Sequence, residues 1–391
     1  MTDQVIPYNK PFIAGKELFY IAQAVINGNI AGDGHFTRKC AELLQTRFGI
    51  HKVLMTPSCT ASLEMAALLC DLKPGDEVIM PSFTFVSTAS AVARIGAIPR
   101  FVDINPETLN LDERLIPAAI NERTRAIWPV HYAGVSCEMD PILATANRHG
   151  LAVVEDAAQG VNSFYKGRAL GSIGALGTYS FHETKNFICG EGGALCINDP
   201  KMVERAEILR DKGTNRKQFL RGQVDKYTWV DVGSSYVPSE ICSAFLYAQL
   251  EMSEHITQRR RELHEYYEER LSPLMADGLL RLPICPRNCT PNYHIFYLLL
   301  PTEGARNELL DNLRRNGIMA VFHYIPLHDS PVGQTYGYRP GDLPVTEDIS
   351  RRLIRLPLYY TMTEESQARV VAQVESCLRG LGVRFNRNLA A

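Results

Sequence analysis

Long apolar runs are missing from this 391-residue sequence. No stretch approaches the roughly 20 apolar residues that a membrane-spanning helix needs. The N-terminal stretch Met1–Pro7 also lacks the basic start and the apolar core of a secretory signal peptide. We therefore expect a cytoplasmic protein that has no membrane partner.

Neither sign of charge is in excess. The chain has 41 Lys and Arg against 43 Asp and Glu, which leaves a formal net charge of −2. Proteins that bind nucleic acid or anionic lipid usually carry a basic patch or a high positive charge. We therefore expect no nucleic-acid partner.

The ten cysteines form no regular framework. The nearest neighbours, Cys285 and Cys289, are separated by three residues, and no second pair follows at the spacing of a zinc site. We expect reduced and mostly packed cysteines, and no metal site.

Short apolar runs that alternate with helical periodicity are present instead. Ile98–Val102, Ala126–Val130 and Leu151–Val154 have the pattern of strands, and Pro141–His149 has that of a helix. This alternation predicts an α/β fold with a mostly parallel sheet. Leu151–Val154 is apolar at every position, as in a strand that is covered on both faces.

The chain is long enough for two domains. We place the change near residue 252, which predicts a large domain over residues 1–252 and a smaller C-terminal α+β domain over residues 253–391. A long helix is predicted over Pro238–Leu271. Beyond it, strands are predicted over Tyr293–Leu300 and Ala320–Ile325, and helices over Ala305–Asn316, Ser350–Leu356 and Thr363–Leu381. We expect the tail, residues 384–391, to fray.

A lone lysine lies between two apolar segments. Lys185 follows the predicted strand Leu176–Phe181 and precedes the short apolar run Ala194–Ile197. Lysine is rarely buried unless it is paired or used. Desolvation between two such segments lowers a lysine pKa and makes the amine a nucleophile for an aldehyde or ketone. The alternative is an ordinary surface lysine on a loop.

The segment Thr56–Ser62 predicts an anion site. It joins a short apolar strand, Val53–Met55, to a strongly helical run, and the first N–H groups of a helix have no intrahelical acceptor. Ser58 and Thr60 can add side-chain donors, and Cys59 lies in the same turn. An ordinary helix cap explains the serine and threonine equally well.

Two acids, Glu155 and Asp156, end the apolar run that starts at Leu151. Ligands of open α/β sheets bind outside the carboxyl ends of the strands. A carboxylate there can pair with a protonated ring nitrogen of a ligand. The spacing does not choose between the two acids.

The segment Thr214–Ser235 has no clear periodicity and is longer than most connections. Loops of this length are often functional. It contains Arg221 and Tyr227, which are candidates for contact with a substrate. Further along, His323 and Tyr324 are candidates for lining a sugar pocket, although one of them can simply be packed.

Three stretches together, Thr56–Ser62, Leu151–Gln159 and Tyr179–Gly193, resemble the sugar-nucleotide aminotransferases of the aspartate-aminotransferase fold, which use pyridoxal phosphate. The similarity covers nearly the whole chain. Further matching stretches are Leu63–Leu68, His131–Gly134, Lys212–Asn215, Arg221–Trp229 and Ala320–His328. The resemblance implies a fold type I transferase dependent on pyridoxal 5′-phosphate.

The resemblance also implies roles for individual residues. Lys185 would hold the cofactor, and Asp156, rather than Glu155, would pair with its ring nitrogen. Phe85 would stack on the ring, although either Phe83 or Phe85 can be a core residue. The remaining cofactor contacts that the resemblance implies are Ser58, Cys59, Thr60, Gln159 and Ser180. It also implies a homodimer with shared active sites, in which Ser235 would contact the cofactor phosphate bound by the partner subunit.

Within this family the chain is similar to the transaminases that make dTDP-4-amino-4,6-dideoxy-D-galactose. This similarity implies that L-glutamate is the amino donor and a dTDP-4-keto-6-deoxy sugar the acceptor. It also suggests a product used in enterobacterial common antigen or an O-antigen. The gluco epimer and a 3-amino sugar nucleotide are open alternatives, because those enzymes share the fold and most cofactor residues.

Two other functions of related proteins fit the sequence less well. Cofactor-dependent sugar 3-dehydratases have histidine where this chain has Lys185. Cofactor-binding transcription regulators carry an added DNA-binding domain, for which this chain has no spare length and no basic segment.

Overall fold

The computed structural model describes residues 5–385. The first four residues lie outside the described chain. The same is true of the tail that we expect to fray, apart from Arg384 and Phe385.

The strands of the described chain are two to five residues long. Their bounds are β1 Lys52–Thr56, β2 Glu77–Pro81, β3 Ile98–Val102, β4 Thr124–Ile127, β5 Ala152–Asp156, β6 Phe164–Tyr165, β7 Arg168–Ala169, β8 Leu176–Ser180, β9 Gly193–Ile197, β10 Cys289–Thr290, β11 Tyr297–Leu299 and β12 Leu353–Arg355.

A seven-stranded sheet organises the larger part of the molecule, in the order β1-β9-β8-β5-β4-β2-β3. The pairs β8–β5, β5–β4, β4–β2 and β2–β3 are parallel, and β9 runs antiparallel to both of its neighbours. The predicted α/β fold with a mostly parallel sheet is therefore confirmed.

Both faces of this sheet are covered. Along β5, Val153 packs into one apolar core and Val154 into another on the opposite side. Successive side chains of a strand point to opposite faces. A strand buried on both faces therefore needs an apolar residue at every position, which explains the unbroken run at Leu151–Val154.

Helices cover the sheet and build the remainder of the chain. Their bounds are α1 Glu17–Ile26, α2 His35–Phe48, α3 Cys59–Leu69, α4 Val86–Ala93, α5 Ile116–Ala119, α6 Met139–His149, α7 Val203–Arg210, α8 Arg216–Leu220, α9 Glu240–Glu251, α10 Ser253–Ala276, α11 Glu303–Arg315, α12 Pro331–Thr335, α13 Pro344–Arg352 and α14 Glu364–Leu381. None of them within the described chain is long and apolar enough to cross a membrane.

A further apolar core, the C-terminal core, lies under α10, α11 and α14 and the antiparallel pair β11–β12. Helix α10 connects it to the sheet, because Ile256 packs into the same core as Val153 and Leu263 packs into the C-terminal core. The N-terminal Ile6 also packs in the C-terminal core and pairs with Ile318. A division of the chain at residue 252 stays a prediction.

Three C-terminal elements differ from expectation. The long helix predicted over Pro238–Leu271 is two helices, α9 and α10, with Met252 between them. Residues 320–325 form only an isolated bridge, Val321 to Arg355, rather than a strand. The helix predicted over Ser350–Leu356 is also wrong, because the chain leaves α13 at Arg352 and continues as β12. Pairing with β11 overrides the local pattern there.

Candidate active site

The predicted site residues gather where several strands of the large sheet end. Ser58 follows β1, Phe85 follows β2, Asp156 ends β5 and Ser180 ends β8. Because the carboxyl ends of parallel strands meet at one edge of a sheet, distant parts of the sequence are brought together there.

Lys185 lies in the loop between β8 and β9 and is partly buried. It lines a cleft together with Gln159, Ser180 and His294. Burial lowers the pKa of Lys185, and the charge of Arg355 acts in the same direction, against Cys59 and Asp156. A lower pKa leaves more of the amine neutral and nucleophilic near neutral pH.

Asp156 has a carboxylate that two donors hold in place. Thr88 Oγ1 donates to Oδ2 over 2.7 Å, and the N–H of Ala158 donates to Oδ1 over 3.1 Å. Thr84 in turn hydrogen-bonds Thr88 over 2.9 Å. The carboxylate is nearly fully buried and close enough to Lys185 to raise the lysine pKa. It is thus an oriented, buried carboxylate near Lys185.

Glu155 serves the interior of the protein instead. Its carboxylate accepts hydrogen bonds from the N–H groups of Gly171, Ile173 and Gly174, at 2.6–2.8 Å. It also pairs with His131 Nε2 at 3.0 Å, and neither side chain is exposed. These partners use most of its acceptor positions, so of the two acids only Asp156 is open to a ligand.

The N-terminus of α3 has the geometry of an anion site. Ser58 caps the helix by accepting from the N–H of Ala61 over 3.1 Å, which leaves the N–H groups of Cys59 and Thr60 at the helix end. Thr60 Oγ1 lies 2.8 Å from Ser87 Oγ. Burial raises the pKa of the Cys59 thiol, with Asp156 acting in the same direction, so the thiol stays protonated.

Gly193 of β9 allows the backbone to come close to this turn. A Cβ at Gly193 would lie 2.4 Å from the carbonyl carbon of Ser58 and 2.5 Å from the nitrogen of Cys59. A side chain at position 193 is therefore excluded by steric clash. Strand β9, which follows Lys185, packs directly against the N-terminus of α3.

Two polar residues flank Lys185 on the β8 side. Ser180 is buried and lines the same cleft as the lysine. His182, in contrast, is exposed and bonds Thr184 Oγ1 over 2.9 Å in a local turn. These contacts of His182 are local ones within its own loop.

The two phenylalanines after β2 differ in their surroundings. Phe83 is fully buried and packs on Tyr132 and Tyr324, with ring centroids 5.1 Å and 5.5 Å away. Phe85 caps α4 and is 60% exposed. An aromatic ring left open beside the site is available to cover a planar ligand.

A chain of contacts runs from Gln159 through Tyr324 and His323 to Tyr132. Gln159 Oε1 accepts from the N–H of Ala133 over 2.7 Å, and its Nε2 donates to Tyr324 Oη over 2.9 Å. The Tyr324 ring stacks on His323 at 3.6 Å, and His323 Nδ1 lies 2.8 Å from Tyr132 Oη. Both predicted sugar-pocket residues therefore border the site, and His323 is buried and neutral, because burial lowers its pKa.

The three predicted residues of the long loop lie elsewhere within one protomer. Arg221 donates to the buried carboxylate of Glu207 over 2.7 Å. Tyr227 is exposed and packs on Phe219, with ring centroids 5.8 Å apart. Ser235 is exposed and pairs with Asp211.

Sequence reasoning missed several residues of the cleft. Asn186 lies between His294 Nδ1, at 2.9 Å, and the carbonyl of Asn292, at 2.9 Å. Arg355 ends β12 and influences the pKa of Lys185 and of His294. The signal for Arg355 was available, because it interrupts the apolar run Leu353–Leu358 as Lys185 interrupts its own surroundings.

A second cluster resembles a hydrolase triad but serves another purpose. His328 Nδ1 lies 2.8 Å from Ser82 Oγ, and Nε2 lies 3.1 Å from Glu347. Ser82 and His328 are completely buried, so no substrate can reach the hydroxyl. The cluster ties the end of β2 to the C-terminal part of the chain.

The residues present fit pyridoxal phosphate. The α3 N-terminus and Ser180 offer donors for a phosphate, Asp156 offers an oriented carboxylate for a ring nitrogen, and Lys185 offers an amine of lowered pKa. An α/β fold whose mostly parallel sheet brings these groups to one edge is typical of the class of pyridoxal-phosphate-dependent aminotransferases.

The sequence pattern of one family matches residues 13–375, and the chain belongs to that family, the DegT/DnrJ/EryC1/StrS aminotransferase family. Members of this family are sugar aminotransferases that use pyridoxal phosphate, and the predicted cofactor and fold are confirmed.

Individual relatives agree with this assignment. The spore coat polysaccharide biosynthesis protein SpsC of Bacillus subtilis is 31% identical over 383 residues, 96% of this chain and 97% of the relative. The aminotransferase TlmJ from Streptoalloteichus hindustanus superposes with a TM-score of 0.89 at 29% identity, over 96% of this chain and all of that one. NtdA of Bacillus subtilis, solved with bound cofactor PMP, has a TM-score of 0.84 at 27% identity, over 93% of this chain and 81% of that one.

Proposed function

We propose that the protein transfers the amino group of L-glutamate to C4 of dTDP-4-keto-6-deoxy-D-glucose. The products are dTDP-4-amino-4,6-dideoxy-D-galactose and 2-oxoglutarate. The observation that carries aminotransfer is Lys185, an amine of lowered pKa beside the oriented carboxylate of Asp156. The choice of sugar rests on the sequence stretches shared with the transaminases that make this product.

Pyridoxal phosphate supplies an aldehyde that carries the amino group and a ring that draws electrons from the reacting carbon. In our proposal Ser58, Cys59, Thr60 and Ser180 hold its phosphate through backbone and side-chain donors. Phe85 and Gln159 complete the cofactor contacts within one protomer.

Two residues of the protein, Lys185 and Asp156, take part directly in the reaction. Lys185 holds the cofactor at rest. With the cofactor bound, the neutral amine of Lys185 would take the proton from the substrate carbon and would return it later in the same half-reaction. General acid–base help of this kind is commonly worth about 10²–10⁴-fold. Asp156 keeps the ring nitrogen protonated by placing a negative charge beside it.

Arg355 supports an acidic amino donor. Its Nη2 donates to the carbonyl of Phe322 over 3.0 Å, and its side chain covers the Tyr8 ring at 4.9 Å. Within the described part of the chain the buried Nε–H has no hydrogen-bond partner. A guanidinium with a free donor near the reactive lysine suits a carboxylate of glutamate.

We expect Arg355→Met to raise the KM for glutamate by about 10- to 100-fold, as for the loss of one charge-assisted hydrogen bond. The KM for the keto sugar should change little. Steady-state kinetics with each substrate varied in turn measures both values. Arg351→Met, which changes an exposed arginine of α13, is the control, and an equal rise in both KM values would contradict this role.

The long loop supports a homodimer with shared active sites. Trp229, Leu220 and Tyr227 are 76%, 68% and 53% exposed, which is unusual for large apolar side chains on one loop. Within the described chain, the residues that line the cleft of a protomer do not include its own Ser235, Arg221 or Tyr227. We propose that this loop, with Ser235, completes the partner's site.

A mixing experiment tests the shared site. Ser235→Glu should place a carboxylate beside the partner's cofactor phosphate and abolish activity by like-charge repulsion. Lys185→Ala should also be inactive. Refolding the two variants together should restore activity at about a quarter of the sites. About half of the dimers are then mixed, and each mixed dimer has one intact site of its two. No recovery, despite mixed dimers seen by native mass spectrometry, would contradict sharing.

Product analysis tests the whole proposal. Purified protein is incubated with dTDP-4-keto-6-deoxy-D-glucose and glutamate, and the product is examined by NMR. A small coupling between H3 and H4 indicates an axial nitrogen and the galacto product, and a large one indicates the gluco epimer. Nitrogen at C3 identifies a 3-amino sugar. A cofactor-binding regulator would release no 2-oxoglutarate at all.

A further inference from the structure

Cys285 and Cys289 face each other across a tight turn before β10. The N–H of Cys289 donates to the carbonyl of Pro286 over 3.0 Å and closes this turn. The Cys285 sulfur lies 3.7 Å from the Cys289 carbonyl oxygen, and each thiol shifts the pKa of the other. A disulfide needs the two sulfurs at about 2.05 Å. Because both thiols belong to one turn, rotation about the Cα–Cβ bonds changes the distance between the two sulfurs.

The two thiols differ in character. The N–H of Ser136 donates to the Cys289 sulfur over 3.2 Å. The neighbouring Cys285 thiol and the N–H of Ser136 lower the pKa of Cys289 against the effect of burial. Cys289 in turn raises the pKa of Cys285, which is exposed. Cys289 is thus the better nucleophile and Cys285 the accessible partner.

We propose that Cys285 and Cys289 are a redox-active dithiol, which a low-molecular-weight disulfide such as glutathione disulfide converts into an intramolecular disulfide. The Cys289 thiolate attacks one sulfur of the oxidant, forms a mixed disulfide and releases one thiolate. Cys285 then loses its proton, attacks the Cys289 sulfur and releases the second. Two protein thiols are oxidised, and one disulfide is reduced to two thiols.

This pair is connected to the cofactor cleft. Asn292, three residues after Cys289, donates from Nδ2 to the carbonyls of Gln159 and Val161, each over 2.8 Å. Its own carbonyl accepts from Asn186. Closing the disulfide draws Cys289 away from Ser136 and shifts the segment that leads to Asn292. We expect the oxidised protein to bind pyridoxal phosphate about tenfold more weakly.

Peptide mapping of the cofactor-loaded protein tests the dithiol. The protein is incubated with glutathione disulfide, alkylated and cut with trypsin, which cleaves after Arg281, Arg287 and Arg306. The disulfide then links peptide 282–287 to peptide 288–306, with a mass two hydrogens below their sum. Two separately alkylated peptides after oxidation, or a link to another cysteine, would overturn the proposal.

Single variants test the order of attack. Cys285→Ser should keep glutathione on Cys289, because no second thiol displaces it. Cys289→Ser should leave Cys285 reacting about tenfold more slowly, as an ordinary thiol. Cys377→Ser, a partly buried cysteine of α14, should leave the 285–289 link unchanged. Glutathione on Cys285 but never on Cys289 would refute the assigned roles, and an unchanged cofactor Kd after oxidation would refute the connection to Asn292.

Discussion

Lys185→Ala is expected to lose turnover by at least about 10²–10⁴-fold, because the amine that moves the proton is gone. The absorbance band of the lysine-bound cofactor should disappear at the same time. The fold should persist, since Lys185 makes no side-chain ion pair among those found in the described chain. Steady-state rates and absorbance spectra of the purified variant measure both effects.

Small amines provide the decisive control for that variant. Removal of the lysine side chain leaves space in the cleft that methylamine can enter, and added methylamine should restore part of the turnover. Lys201→Ala, which removes an exposed lysine on a surface turn, should behave as the wild type. Full activity of Lys185→Ala without added amine would remove the lysine from its assigned role.

Asp156→Asn is expected to bind pyridoxal phosphate but to transaminate about 10²-fold more slowly, which corresponds to about 2.7 kcal/mol of transition-state stabilisation. The amide has nearly the shape of the carboxylate and can still hydrogen-bond Thr88. What it lacks is the negative charge that keeps the ring nitrogen protonated. Cofactor titration and single-turnover rates with glutamate separate binding from chemistry.

The neighbouring acid is the matched control. Glu155→Gln should keep the rate per folded molecule and lower the free energy of unfolding by about 2–4 kcal/mol. It leaves buried N–H groups at Gly171, Ile173 and Gly174 with poorer acceptors. A larger catalytic defect in Glu155→Gln than in Asp156→Asn would exchange the roles of the two acids.

Much of the seven-stranded sheet could be predicted from the sequence, because its strands are buried on both faces. Val153 and Val154 pack into different cores, so the strand has to be apolar throughout and is easy to recognise. The C-terminal part was harder. Residues 353–355 form a strand only because β11 lies beside them, and no local pattern carries that information.

The amino-acid sequence by itself determined the class of the site: a lysine between apolar segments, a strand that ends in acids and a helix start rich in hydroxyls. These are local features, readable from a few neighbouring residues. Only the tertiary structure shows that Glu155 is held by interior N–H groups while Asp156 lies near Lys185, and that Phe83 is buried while Phe85 is exposed. It also brought Arg355 to Lys185 across 170 positions of the sequence. Adjacent side chains of a strand point to opposite faces, so the role of each depends on what the folded chain places against it.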